Sequence, residues 1–588
     1  MMMFLFTLLL CLVKVKVIIS IQLQQQFNKG GKPNVLFLVI DDFRPALGSY
    51  GERVHTPNMD QLAAQSIRFT DARAQQAVCA PSRISFLTGR RPDSTLLWDF
   101  RSSYWRQSAG NYTTIPQHFK DNGYYTLSAG KVFHHGPCSN NTDDYPYSWS
   151  VPCYWPTREH KTSKVCPGPD GKLHAYTMCP VNVTEQPGGT LPDIDSTNYA
   201  ISALHDLAAV KDEKNLLMHH KGNKPSVINP ALHTPFFMAV GYHKPHLPFR
   251  YPEEYKSLYP LHTMKMAPNP NYTKDLPPVA WEHWRDVRVG EDIPVQKEKD
   301  YYGPMPPKYH LLMRQAYFAA TSYIDHEIGR LLSTLEQVGF ANNTIIALTG
   351  DHGWQLGEHQ EWSKYSNYDS ATQVPLMFYI PQVTNKRWNH PHRFSLINPL
   401  NTITDFNTSC ATSGFASDAF AELVDLFPTL SEIAGLTVPP VCPIDTFHTQ
   451  FCSEGVSLAP VIHNITDTPS KVGIIRWKNA SFSQYPRPTF YPSHKTNTPQ
   501  LPEINIMGYS MHTKDYRYVE WLPFNHTTFA VNWLKPLAVE LYSYREDPLE
   551  MQNVYNHTAY QNVVKDLARQ LRQNWRHALP ITHNGTHP

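Results

Sequence analysis

The sequence predicts an α/β protein: a large, mostly parallel sheet flanked by helices, joined to a smaller C-terminal α+β domain. Three observations predict it. Short apolar runs recur without polar alternation, each ending abruptly in charged or polar residues; helical patterns separate the runs; and beyond about residue 455 the character of the chain changes. Continuous apolar runs are what strands buried on both faces look like, the habit of a parallel sheet. Strands that alternate with helices make an α/β layer structure. At 588 residues the chain exceeds the size at which one core stops growing, and 41% hydrophobic with 12% aromatic residues supply material for more than one.

Residues 1–25 read as a signal peptide. Phe4 to Val13 is apolar but short for a bilayer; Lys14 and Lys16 stand on its far side, which leaves a retained signal anchor as the rival. No later segment is long and apolar enough to cross a membrane, so no stable span is expected in the mature chain. Val35 to Ile40 reads as the first strand and ends at Asp41-Asp42. Tyr124 to Leu127 leads through Ser128-Ala129-Gly130 to Lys131. Phe236 to Val240 leads to Gly241-Tyr242-His243-Lys244-Pro245-His246, and Thr344 to Thr349 leads to Gly350-Asp351-His352. Ile324, Ile328, Leu331, Leu332 and Leu335 mark one helix face, and a second helix runs near Leu423 to Leu426 before Pro428. Residues 385 to 417, rich in Asn, Pro, His and Thr, read as a long surface loop. Farther on, "RYVEWLPF" (Arg517 to Phe524) and "VELYSY" (Val539 to Tyr544) read as strands, and Val564, Leu567, Leu571 and Trp575 as a helix. The large domain is therefore assigned to 31–455 and the smaller one to 456–588.

Eleven Asn-x-Ser/Thr sequons, from Asn111 to Asn584, agree with passage through the secretory pathway. Nine cysteines are few for an exported chain of this length. Cys11 leaves with the leader. Cys166 with Cys179, Cys442 with Cys452, and Cys138 with Cys153 have short spacings suited to local disulfides, a connectivity that spacing alone leaves open. Cys410 and Cys79 remain over. The formal charge of +2 excludes the basic footprint of a nucleic-acid binder. Twenty-nine histidines would make the surface cationic near about pH 5, which suits a polyanionic partner in an acidic compartment.

In open α/β sheets ligands bind beyond the carboxyl ends of the strands. The fold would thus bring Asp41, Asp42, Lys131, His246, Asp351 and His352 to one rim. Three converging carboxylates repel one another unless a cation sits between them. Ca²⁺ or Mg²⁺ suits such hard donors, and Ca²⁺ is the more tolerant of an irregular all-protein cage. His352 is not a natural calcium ligand and would stand at the margin of the metal site or meet substrate. "CAPSRISFLTG", from Cys79 to Gly89, reads as a short helix with a glycine stop. Its thiol would lie near the helix N-terminus beside Arg83, a setting that lowers a thiol's pKa and welcomes an anion.

The same stretch, as Cys79-x-Pro81-Ser82-Arg83 running on to Leu87-Thr88-Gly89, resembles the signature of the sulfatases. The similarity extends to "NVLFLVIDDFRPALGSYG", "GYYTLSAGKVFHHG", "VGYHKPHLPFRYP", "TGDHGWQLGEHQEWSKYSNYD" and "ELYSYREDPLEMQN". Within the family the phrasing is similar to that of lysosomal members acting on 2-O-sulfated iduronate in heparan and dermatan sulfate. The resemblance implies an alkaline phosphatase-like fold with 31–455 as its catalytic domain. It implies Cys79 oxidised to Cα-formylglycine (3-oxoalanine) by a formylglycine-generating enzyme, its gem-diol being the nucleophile toward sulfur. It implies one Ca²⁺ on Asp41, Asp42, Asp351, His352 and residue 79; Lys131 and Lys364 on the sulfate oxygens; Arg83 orienting the diol; His246 as proton donor to the leaving sugar oxygen; and His134 on the second hydroxyl. Trp354, Tyr365, Asp99 and Trp105 are the candidate sugar contacts. Delivery to the lysosome, or secretion, follows from the same resemblance.

Rival readings stay open at this point. A sulfatase for another sulfated sugar, or a phosphoester or phosphonate hydrolase of the same superfamily, could use the same rim. A secreted, catalytically silent binder of sulfated glycans, with Cys79 left as a thiol, is the rival of another class.

Overall fold

The computed structural model describes residues 31–156, 163–211, 234–293, 303–401, 414–467, 476–493 and 498–580. The leader, with Cys11, and Cys410 lie outside these residues. The large sheet has seven strands: β1 (Asn34–Ile40), β2 (Ile67–Phe69), β3 (Tyr125–Gly130), β4 (Phe236–Tyr242), β5 (Thr344–Gly350), β6 (Leu376–Tyr379) and β7 (Phe415–Ser417). Their order is β7-β2-β6-β5-β1-β4-β3. Only β6 runs against the rest, pairing antiparallel with β5 and β2. The pairs of β1 with β5 and β4, of β3 with β4 and of β7 with β2 are parallel.

The unalternating apolar runs are explained by burial on both faces. Every residue of β1 is buried. Leu36, Leu38 and Ile40 enter one core, whereas Val35, Phe37 and Val39 enter the other, as the two-residue period of a strand requires. Helices cover both. On the second face lie α1 (Cys79–Thr88), α4 (Leu426–Ile433) and α5 (Ala459–Asp467); the first is covered by α2 (Pro192–Lys211) and α3 (Pro307–Gln337). The stripe of Ile324, Ile328, Leu331, Leu332 and Leu335 is the buried face of α3.

Some elements differ from the sequence reading, for local reasons. Pro428 does not end its helix; it sits in the first turn of α4, where a missing N–H costs nothing. The three-residue β7 falls inside the expected 385–417 loop and is too short to carry a periodic signal. Disulfides join Cys166 to Cys179 and Cys442 to Cys452, but among the described residues Cys138 and Cys153 are unbonded. Their sulfurs instead face carbonyls, that of His134 at 3.3 Å for Cys138 and that of Asp143 at 3.7 Å for Cys153.

The C-terminal sheet is antiparallel, β8 (Ala480–Arg487), β9 (Ile506–Thr513), β10 (Tyr516–Asn525) and β11 (Ala530–Val531) in order, with β12 (Ala538–Ser543) also on β10. One face buries Met511, Tyr518 and Leu541 under Leu567 and Leu571 of α6 (Gln561–Arg572). The other face, with Tyr485, Ile506, Val519 and Trp521, packs on a cluster that includes Val78 and Tyr365. The small sheet thereby reaches the residue before Cys79. The α5 residues Val461 and Ile462 pack into the large sheet's core, so that core extends past residue 455.

Candidate active site

Pairing register gathers the rim. In the sheet, Ile40 lies opposite both Gly350 and Tyr242, so Asp41-Asp42 leave β1 beside Asp351-His352 on one flank and the His243 to His246 loop on the other. Gly130 at the end of β3 lies opposite Gly241. A side chain at Gly241 would overlap the Lys131 carbonyl, and the Gly241 carbonyl accepts the Lys131 N–H at 2.8 Å. Glycine therefore permits the approach that sets Lys131 Nζ 2.6 Å from Asp41 Oδ2.

The α1 helix begins after Val78, which is extended, and ends at Gly89, whose φ of 67° closes the last turn. Cys79 and Arg83 are four residues apart and share the face turned to the strand ends. The Arg83 guanidinium, with no exposed surface, donates to Asp41 Oδ1 at 3.1 Å and Asp351 Oδ2 at 2.9 Å, and to the carbonyls of Lys131 and Val132. Lys364 Nζ donates to Asp42 Oδ1 and lies 3.0 Å from Cys79 Sγ. Its ammonium stands 5.7 Å from the ring centroids of both Trp354 and Tyr365, a cation–π seat. His352 donates from Nδ1 to the Gly353 carbonyl, which turns Nε2 toward Cys79 Sγ at 3.4 Å and Asp42 Oδ1 at 3.4 Å. His246 donates from Nδ1 to the Leu247 carbonyl, leaving Nε2 3.8 Å from Asp42 Oδ2.

The electrostatics call for a cation. Burial, opposed by Lys364 and reinforced by Asp41 and Asp351, pushes Asp42 up to about 7. Burial also raises Asp351 to about 6 against the pull of Arg83. Burial works against ionisation of Asp41 too, but Lys131, His246 and Arg83 outweigh it and hold this carboxyl well below its usual range. Asp42 Oδ2 is buried without a hydrogen-bond donor. Ligand atoms of Asp41, Asp42, Cys79 and His246, and of Asp41, Cys79, Asp351 and His352, lie within 4.8 Å of one another. Hard oxygen donors that crowd together, one of them orphaned, fit a divalent ion such as Ca²⁺.

One expectation is reversed. The Cys79 thiol is pushed up, not down: burial dominates and Asp41 adds to it, outweighing Lys131 and Lys364. The protein's own groups therefore disfavour a thiolate at this position.

Of the candidate sugar contacts, Trp354 and Tyr365 are 1% and 3% exposed and closed to a sugar face. Trp354 sits edge-on to Phe249, and the Tyr365 hydroxyl donates to Asp286. Trp105 is fully buried against Tyr112. Asp99 spends its carboxylate on the N–H groups of Arg101, Ser102 and Leu501. His134 follows Lys131 on the same rim loop, its ring 4.7 Å from Phe100. Sequence reasoning missed supports that carry no motif of their own. The Tyr317 hydroxyl donates to the Asp42 carbonyl at 2.8 Å. Lys244 Nζ holds the carbonyls of His246 and Pro248. Arg487, from β8, donates to the Tyr365 carbonyl at 2.8 Å. Only Lys244, inside "GYHKPH", lay within a stretch already singled out.

Comparison with known proteins agrees with this geometry. Residues 33–436 match the sequence model of the family described as Sulfatase. The chain is 49% identical over 527 residues to iduronate 2-sulfatase of Homo sapiens, covering 89% of this chain and 91% of that one. It is 47% identical over 538 residues to the Mus musculus protein of the same name, covering 91% and 93%. Among solved structures, BT4656 in complex with its substrate D-glucosamine-2-N,6-O-disulfate superposes with a TM-score of 0.60 at 21% identity, covering 93% of this chain and 98% of that one. The phosphonate monoester hydrolase of Silicibacter pomeroyi gives 0.62 at 18%, covering 94% and 98%. Those two likenesses speak for the fold alone. The family match spans both the acidic rim and the Cys79 helix, and the sequence identity runs through nearly the whole chain, so this protein belongs to the sulfatase family.

Proposed function

We propose that the protein removes the 2-O-sulfate from iduronate residues of heparan and dermatan sulfate. Asp41, Asp42, Asp351 and His352 would hold one Ca²⁺, and Cys79 would be converted to Cα-formylglycine by a separate formylglycine-generating enzyme. The observation that carries the reading is Cys79 itself: buried, outside any disulfide, and opening its helix inside the ring of Asp42, Lys364 and His352. The iduronate 2-sulfatases at 47% and 49% identity supply the substrate class.

When bound, the ion supplies Lewis-acid polarisation of the sulfate oxygens, and the hydrated aldehyde supplies the oxygen nucleophile toward sulfur. The chain's own groups do the rest. Lys131 Nζ and Lys364 Nζ, buried and held on Asp41 and Asp42, would donate to the sulfate oxygens as charge builds on them. Arg83, held by two carboxylates and two carbonyls, fixes the axis of the nucleophile. His246 is 29% exposed, the open member of an otherwise buried group, and would give its proton to the leaving sugar oxygen. Burial lowers its pKa well below the ordinary value, with Lys131 and Lys364 adding to the effect. An arriving sulfate anion restores the charge that favours protonation at Nε2, and proton donation of this kind is worth about 10²–10⁴-fold. His134, on the same loop as Lys131, would take the proton of the second hydroxyl.

Folding stability depends on pH through buried carboxyls and histidines. Burial raises Asp325 to about 8 and Glu327 and Glu361 to about 7. A raised carboxyl contributes stability that is full below its unfolded pKa and lost as pH rises through the folded value, here between about 4 and 8. Burial opposes ionisation of Glu358 as well, yet Arg44 and Arg314 hold it near about 2, so its stability is present above its unfolded pKa and survives at pH 5. Buried His283 and His359, lowered to about 3, and His310 and His512, lowered to about 4, act the other way, burial being the main cause in each: they lose stability as pH falls below the unfolded value. The part due to Asp325 is isolated by Asp325→Asn, whose melting temperature relative to wild type should improve between pH 5 and pH 7.5; an unchanged difference would rule out a raised Asp325 carboxyl. Of the nine described sequon asparagines eight are exposed and Asn464 is half-buried, as glycan attachment along the secretory route requires.

The function is tested by sulfate release from disaccharides carrying a single sulfate at the uronate 2-O, the glucosamine 6-O or the glucosamine N position, beside the matching 2-O-phosphate. Release confined to the 2-O-sulfate is expected. Preference for the phosphate would assign the site to phosphoester chemistry.

A further inference from the structure

With Trp354, Tyr365 and Trp105 closed to solvent, the aromatic surface at the mouth of the site must come from elsewhere. Phe100 is half-exposed. Its ring lies 4.7 Å from His134 and packs on the cluster that contains Val78 and Tyr365, the neighbours of Cys79 and Lys364. The next residue, Arg101, is exposed, and its guanidinium has no partner among the described residues.

The loop that carries the pair is fastened at both ends. Gln76 Nε2 donates to the Trp98 carbonyl at 2.8 Å, which ties it to the segment running into Cys79. Asp99 accepts the N–H groups of Arg101 at 2.7 Å and Ser102 at 2.8 Å, the Ser102 hydroxyl, and the Leu501 N–H at 2.7 Å from the C-terminal domain. A buried carboxylate with four donors makes a rigid turn, and a rigid turn presents its side chains at low entropic cost.

We propose that Phe100 and Arg101 form the subsite for the sugar next to the one that loses its sulfate. Phe100 packs on the apolar face of that pyranose, and Arg101 meets the sulfate or carboxylate it carries, in the forked geometry that suits such anions. Asp99 is a positioning residue for both. The inference deepens the reading of the site as a glycan 2-O-sulfatase and rests on it.

The test uses two disaccharides with the same 2-O-sulfated iduronate, one bearing an N-sulfated and 6-O-sulfated glucosamine and the other an uncharged N-acetylglucosamine. Arg101→Glu, an exposed change that leaves the core intact, should lower kcat/KM for the charged disaccharide about tenfold relative to the uncharged one, in keeping with a rim charge pair. Added salt should shrink the difference, and Arg101→Lys should recover most of it. Phe100→Ala should raise KM for both substrates more than it lowers kcat, with Phe100→Tyr restoring KM. Equal effects of Arg101→Glu on the two disaccharides, or none, would overturn the subsite while leaving the 2-O-sulfatase reading intact. Failure of the wild type to act on either disaccharide would remove that reading, and the subsite with it.

Discussion

Cys79→Ala protein is expected to release sulfate from a 2-O-sulfated iduronate disaccharide at least about 10⁴-fold more slowly than wild type, the scale of loss when a nucleophile is removed from a concerted site. The protein should stay folded. Cys79 is 1% exposed and forms no disulfide, so the change deletes one buried sulfur from a helix start, at a cost of about 1 kcal/mol. The acids and lysines around it keep one another as partners through Arg83 and Lys131. Burial raises the pKa of the Cys79 thiol, so the protein groups alone do not favour a thiolate there. The residual rate of the variant would measure what the lysines, His246 and the proposed ion contribute without a nucleophile. Mass measurement of the peptide containing residue 79 provides an independent check, since active wild-type protein should carry an aldehyde there. Equal rates for wild type and variant, with an unmodified thiol in the wild type, would leave a binding protein as the surviving interpretation.

How much of this was legible in the sequence depended on the range of the interactions involved. Strands β1, β3, β4 and β5 announced themselves because burial on both faces leaves no room for polar alternation, and each run stopped where the chain reached the rim. That stop is why Asp41, Asp42, Lys131, Asp351 and His352 could be placed together. β2 and β7 were not legible, since three residues hold no period. The burial of the candidate sugar contacts has a different reason. Trp354, Tyr365 and Trp105 are apolar enough to be core as well as rim, and only tertiary packing decides which; here it buried all three and left Phe100 half-open. Arg487 stayed invisible because it acts on Tyr365 from another sheet, 122 residues away along the chain. The Cys79 expectation rested on local charge and the helix end, and burial, a property of the whole fold, outweighed both.

The other large effect should come from Arg83→Leu. This guanidinium compensates two carboxylates from different strands, Asp41 and Asp351, and caps two carbonyls of the Lys131 loop, all without exposed surface. Removing one partner from a buried charge network costs about 3–5 kcal/mol, because the remaining charges stay unpaired. The variant should be expressed poorly and melt many degrees lower, and whatever folds should be inactive, since in the proposed mechanism Arg83 orients the nucleophile. Arg83→Lys should regain part of the stability and little of the activity, as a single ammonium cannot bridge both acids and both carbonyls. A bound divalent ion would share Asp41 and Asp351 with Arg83, so the two compensations are coupled. Chelation with EGTA should therefore lower the melting temperature of Arg83→Lys more than that of wild type, and excess calcium should narrow the gap between them. Identical chelator sensitivity in the two proteins would mean that ion and guanidinium do not act on the same carboxylates, and the metal site would have to be sought away from the ends of β1 and β5.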